Sequence, residues 1–133
     1  MTSPAEASID LPARPESIRQ ARRLVAGTLA GVAPDTIVDD LTLAASELVT
    51  NAIEHGPTAL SDTVHVAVSV TGSAARVTIR SAADHRLRDA AHWAMPDAEA
   101  VSGRGLGIVR QLSDSVHIER LDGIIAITLE RNW

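Results

Sequence analysis

Glu47, Asn51 and His55 recur at every fourth position in the run Glu47-Leu48-Val49-Thr50-Asn51-Ala52-Ile53-Glu54-His55-Gly56. On an α-helix that spacing sets a carboxylate, an amide and an imidazole along one stripe. Leu48, Val49, Ala52 and Ile53 supply an apolar side. Carboxylate and amide oxygens are hard ligands suited to Mg²⁺, which keeps several waters and shares itself with nucleotide phosphates. An isolated E-x-x-x-N is ordinarily a solvated helix face, so the stripe gains meaning only from a second element further along the chain.

That element is Ser102-Gly103-Arg104-Gly105-Leu106-Gly107-Ile108-Val109-Arg110-Gln111-Leu112. Alternating glycines precede an apolar helical run. Glycine lets a backbone turn sharply and approach a ligand closely, and a helix start offers free N–H groups and the positive end of its dipole to phosphate. A tight turn into a helix accounts for the glycines equally well. The cluster is not a P-loop, because no Gly-Lys-Ser/Thr follows, and it lacks the strand series of a dinucleotide fold.

In this order and separation the two elements resemble the asparagine box and the later glycine box of the gyrase/histidine-kinase/MutL ATPase superfamily. The chain looks most like its small stand-alone bacterial members, the anti-sigma factor serine/threonine kinases. The opening, Ile9-Asp10-Leu11-Pro12 and then Arg19-Gln20-Ala21-Arg22-Arg23, is similar to their first strand and helix. The likeness spans residues 9–129. It implies an α+β, histidine-kinase-like ATPase fold, with helices packed on one face of a mixed, mostly antiparallel sheet.

The resemblance also implies roles. Glu47 would orient or deprotonate an attacking hydroxyl, and Asn51 would bind the Mg²⁺ that accompanies ATP. Gly103, Gly105 and Gly107, with Leu106 between them, would let the lid and helix start approach the phosphates, and Arg104 would add a charged contact. His55 either joins the site or caps the helix end. The phosphate acceptor would be a Ser or Thr of an antagonist (anti-anti-sigma) protein in a partner-switching system. The second partner would be a sigma factor, and a homodimer is expected.

One stretch departs from the family pattern. Members carry an Asp, followed by a Gly, after the second long strand, where the Asp accepts a hydrogen bond from the adenine amino group. Here Ser81 stands in that register and no glycine follows. Asp84 substitutes only with a shift of three residues and is otherwise a loop acid. A serine oxygen accepts the same bond more weakly than a carboxylate. Two functions therefore stay open: an Mg-ATP-dependent protein kinase, and a degenerate module of the same fold that regulates a partner by docking with little or no nucleotide binding. A sensor histidine kinase is disfavoured, because the chain has no dimerisation helix pair carrying a phosphoacceptor His.

The elements that must position these residues are legible in outline. Hydrophobic periodicity predicts a strand over 8–11, a helix over 15–31, a helical stretch from Pro34-Asp35 with a longer one running to His55, and strands over 64–70 and 76–80. A third helix over 106–112 and a hairpin of 116–121 with 124–130 across Asp122-Gly123 complete the pattern. Residues 86–101, with His92, Trp93 and Met95, are the expected ATP lid. Residues 1–7 read as a flexible tail and 8–133 as one domain.

Composition narrows the class. The 133 residues are 45% hydrophobic but contain no Phe or Tyr, so the core is aliphatic. With no Cys, disulfides, thiolate metal sites and cysteine nucleophiles are excluded. The net charge is −5 and every basic residue is an arginine. An acidic chain without long basic runs is a poor candidate for direct nucleic-acid binding. No secretory pattern or long apolar run is evident, so no membrane contact and a cytoplasmic location are expected. Arg19, Arg22 and Arg23 make a small basic patch on the first helix, ordinarily a solvated face.

Overall fold

A computed structural model describes residues 5–55, 63–82, 105–121 and 123–133. Five strands form one sheet: β1 (Ala5–Pro12), β2 (Thr63–Thr71), β3 (Ala74–Ala82), β4 (Ser115–Leu121) and β5 (Ile124–Asn132), in the order β1-β2-β3-β5-β4. Every pairing among them is antiparallel, in line with the mostly antiparallel sheet expected. Alternation in the sequence builds this sheet. Val64, Val66, Val68 and Val70 of β2, Ala75, Val77 and Ile79 of β3, and Ile125, Ile127 and Leu129 of β5 are all buried on one face. The intervening residues pair across the other face, as in Arg76–Glu130 at 2.8 Å, Thr78–Thr128 at 3.0 Å and His65–Asp10 at 2.7 Å. The turns sit where expected. Gly72 and Gly123 have φ of 61° and 81°, in the left-handed region that favours glycine at hairpin tips.

β1 begins before the expected residue 8. Ala5, Glu6 and Ala7, read as tail, pair with Val70, Ser69 and Val68. Two alanines give no strand signal of their own; the edge of β2, with its backbone groups to satisfy, recruits them.

Among the described residues three helices cover the apolar face: α1 (Glu16–Leu29), α2 (Asp35–His55) and α3 (Gly105–Gln111). Pro15 starts α1, where its missing N–H costs nothing. The Ser17 hydroxyl donates to the Pro12 carbonyl at 2.5 Å, tying the helix start to the end of β1. Ala21, Val25 and Leu29 are fully buried along one stripe of α1. α2 is one continuous helix from Asp35 to His55, where two helical stretches were expected. Its buried stripe, Ile37, Leu41, Ala44, Ala45, Leu48 and Ala52, follows the helical period and packs toward β2, β3 and β5. None of the described helices is long and apolar enough to cross a membrane.

Leu41 has no exposed surface and no aromatic neighbour in the core could swing in to fill its place. Leu41→Ala is expected to destabilise the fold by about 2–5 kcal/mol, read as a lowered denaturant midpoint with an unchanged m-value.

Candidate functional site

The rotation of α2 is fixed by its buried stripe, and that decides where the polar residues point. At 100° per residue, Asp40, Glu47 and Asn51 share one flank of α2, while Val38, Thr42 and Val49 lie on the opposite flank. Asp40 identifies what the first flank faces. Its carboxylate pairs with Arg131 at 3.2 Å, and the same guanidinium donates to the Leu112 carbonyl, just beyond the end of α3, at 2.8 Å. The Glu47–Asn51 flank therefore faces α3, the helix that the glycine cluster leads into. Val109 of α3 is fully buried in that contact region.

Arg131 also sets direction. It lies on β5 opposite Ala75 of β3, so this end of the sheet holds the first turns of α2 and the last turn of α3. From Asp40 to Asn51 the helix advances about 16 Å, and from Ala75 to Ser81 β3 advances about 20 Å. α2 accordingly carries Asn51 toward the Ser81 end. α3 runs the other way, so Gly105 and Gly107 lie on its end toward Asn51. Ser81 shares the inward parity of Val77 and Ile79 on β3 and is half-buried. Sequence positions 47, 51, 81, 105 and 107 thus converge on one end of the sheet's helical side.

Individual residues differ in what they offer. Asn51 is only 2% exposed, and its amide nitrogen has no hydrogen-bond partner among the described residues. A buried unpaired amide costs on the order of 1–3 kcal/mol, so the fold spends stability to keep it. Glu47 is half-buried, with no hydrogen bond or ion pair to another described residue. Gly107 has open space around the position a Cβ would take, so the helix start is unobstructed there. His55 closes α2. Asp84, Gly103, Arg104 and the expected lid over 86–101 lie outside the described residues. Arg131 and its partner Asp40 were missed at the sequence level; the one signal was an arginine at an inward position of an apolar strand.

Nucleotide and Mg²⁺ fit this donor set in chemistry. Asn51 offers one amide oxygen from a buried side chain whose nitrogen has no partner among the described residues. Among the described residues no cluster of three His, Asp or Glu could encage a metal. A single protein oxygen, with the rest of the shell left to phosphates and water, is how Mg²⁺ is commonly held at nucleotide sites.

A helical layer on an antiparallel sheet, with a polar α2 flank facing a glycine-led helix, defines an ATPase-type nucleotide fold. The chain belongs to the histidine kinase-like ATPase domain family, whose model matches residues 11–129. No curated protein sequence matches it. Among solved structures it is similar to the RsbU and RsbW domains of Rv1364c from Mycobacterium tuberculosis, with a TM-score of 0.73 and 24% identity over 98% of this chain and 32% of that one. It is also similar to the histidine kinase domain of a blue-light activated histidine kinase from Erythrobacter litoralis, with a TM-score of 0.58 and 20% identity over 88% of this chain and 58% of that one. At these identities the likeness is one of fold, and this chain spans only part of each.

Two outcomes follow from the site's construction. Replacing an unpaired buried polar group with an apolar group of similar shape is neutral or stabilising. Asn51→Leu should therefore leave the nucleotide-free melting temperature unchanged or raise it; a fall of several degrees would mean that Asn51 serves the fold. Arg131→Gln removes a charge-assisted bond from a partly buried position, at a cost of about 1–3 kcal/mol. Its effect should concentrate in faster amide exchange along α3, with little change in β2.

Proposed function

We propose that this protein binds Mg-ATP at the end of the sheet where Asn51, Ser81 and the start of α3 meet, and transfers the γ-phosphoryl group to a Ser or Thr of a partner protein. The observation that carries the reading is the buried side chain of Asn51, its amide nitrogen without a partner among the described residues, on the flank of α2 that faces the glycine-led helix. Membership of the histidine kinase-like ATPase family supports nucleotide binding. The fold shared with a structure that contains an RsbW domain supports an anti-sigma-type regulator, in which the phosphorylated antagonist releases its hold and a sigma factor is sequestered.

Bound Mg²⁺ supplies neutralisation of the triphosphate charge. The chain's own residues do the rest. Asn51 would hold the cation through its amide oxygen, and the N–H groups at the start of α3 would serve the phosphates. Glu47, half-buried and not engaged with another described residue, accepts the proton of the partner's hydroxyl. The hydroxyl oxygen bonds to the γ-phosphorus as the bond to the β,γ-bridging oxygen breaks, leaving ADP and a phosphorylated partner.

A second reading rests on Ser81. A half-buried serine replaces the family's adenine-binding carboxylate at the end of β3, which favours a docking module with weak or unselective nucleotide binding.

Calorimetric titration with Mg-ATP and Mg-GTP separates the two. Micromolar, ATP-selective binding supports the kinase reading, and no binding to either nucleotide supports the docking module. Asn51→Ala is expected to weaken Mg-ATP binding by about 100-fold, roughly the loss of one charge-assisted contact. Glu47→Gln should bind nucleotide normally but lower phosphate transfer by about 10²–10⁴-fold; an unchanged rate removes Glu47 from the chemistry.

A further inference from the structure

We propose that the groove along α1, floored in part by α2, docks an acidic amphipathic helix of a partner protein. The groove encloses about 940 Å³ and is lined by Arg19, Arg22, Arg23, Ile18, Ala26 and Thr42, with Glu16 at one end. It lies on the Thr42 flank of α2, opposite the flank that carries Glu47 and Asn51. It deepens the partner-binding part of the proposed function and rests on that reading for its biological role, while its chemistry needs no nucleotide.

The charge pattern carries the assignment. Arg19, Arg22 and Arg23 sit three and four residues apart on one exposed helical surface, where like charges repel. None of the three makes an ion pair or hydrogen bond to a described residue. Arg76 and Arg131, by contrast, are paired with Glu130 and Asp40. A chain of net charge −5 has acids to spare, yet among the described residues Glu16 is the only acid lining this groove. At the floor, Thr42 has a buried hydroxyl with no hydrogen-bond partner among the described residues. The hydroxyls of Thr28 and Thr50 each return a 2.7 Å bond to their own helix.

The dimensions select the occupant. The three guanidinium groups spring from about 6 Å of helix axis, enough to meet two or three carboxylates spaced along one face of a helix. A nucleic acid presents a continuous line of phosphates and would meet the acidic remainder of the chain as well. A lipid surface needs exposed large apolar side chains, and α1 presents only half-buried Ile18 and Ala26 here. Ile18 and Ala26 instead suit one aliphatic residue of an incoming helix, flanked by its acids.

The test uses a fluorescein-labelled synthetic helix bearing Glu at helical i, i+3 and i+4 spacing around leucines, and a control with every Glu replaced by Gln. The Glu peptide should bind with an anisotropy change that weakens as salt rises, and amide shifts should be confined to α1 and the surroundings of Thr42. Arg22→Glu should weaken binding by about tenfold or more. The gentler triple change of Arg19, Arg22 and Arg23 to Gln should do the same at an unchanged melting temperature. Equal binding of the Gln peptide, unaltered binding by both variants, or shifts elsewhere would overturn the proposal. So would tighter binding of a DNA duplex through the same arginines, or a self-association of this chain that the arginine variants abolish. Mg-ATP titration of the same proteins keeps the two readings apart: loss of nucleotide binding with retained peptide binding removes the kinase reading alone, and the converse removes the groove alone.

Discussion

The buried stripe of α2 is the constraint on which the rest of the molecule depends. Ile37, Leu41, Ala44, Leu48 and Ala52 have nowhere to go but the valine-rich face of the sheet. With no Phe or Tyr in the chain, close packing is achieved by many small aliphatic contacts rather than by a few large rings. Such a face fixes the rotation of the helix closely. One residue of slip turns a helix by 100°, which would carry Asn51 away from α3 and set Leu48 outside the core. The apolar half of α2 therefore aims its polar half, and the candidate site is a consequence of the core.

Rotation alone does not bring the glycine-led helix into place. α3 spans Gly105–Gln111, and a helix that short is marginal in isolation. Among the contacts that hold it are the burial of Val109 and the bond from Arg131 to the Leu112 carbonyl. An arginine suits this position because one planar guanidinium serves two acceptors at once, the Asp40 carboxylate and the helix-terminal carbonyl, and it complements the negative end of the α3 dipole. The clamp sits at the end of the sheet remote from Asn51. The fastened ends of both helices are thus separated from the ends that meet a ligand, which leaves the start of α3 free of the constraint that holds its last turn.

Much of this was legible in the sequence because it is periodic. The valine alternation of β2, the helical period of α2 and the glycine turn at Gly123 are local patterns with local causes, and the structure bears them out. β1 was under-read because Ala5 and Ala7 have no strand preference; pairing with β2, a non-local effect, makes them strand. The sheet was expected to be mostly antiparallel, without an assignment of each pairing, because sequence pattern reports strands and not their directions. For the site, spacing placed Glu47 and Asn51 on one side of a helix, but only the fold shows that this side faces α3 and that Ser81 lies at the same end. Arg131 could not be found by pattern, since its partners at positions 40 and 112 are distant in the chain. The burial of Asn51 was hidden for a related reason: at an angle of about 60° from the core stripe, a helical residue is exposed or buried according to its neighbours.

The two proposed ligand surfaces share α2 without sharing space. Asn51 and Glu47 lie on its α3 flank, and Thr42 lies on its α1 flank beneath the arginine groove. A nucleotide at one and an acidic helix at the other do not collide, so neither excludes the other by simple occlusion. Coupling between them has to pass through α2 or through the packing of α1 on it, and both are held by fully buried residues, Ala21, Val25 and Leu29 on α1 and Leu41, Ala45 and Val49 on α2. A well-packed aliphatic interface transmits small displacements poorly unless it has two discrete arrangements. On the proposed reading, docking at the groove would present a partner's hydroxyl to the nucleotide end. Phosphate transfer would then add negative charge to the partner, and with it change the partner's fit to the arginine groove or to the surfaces beside it.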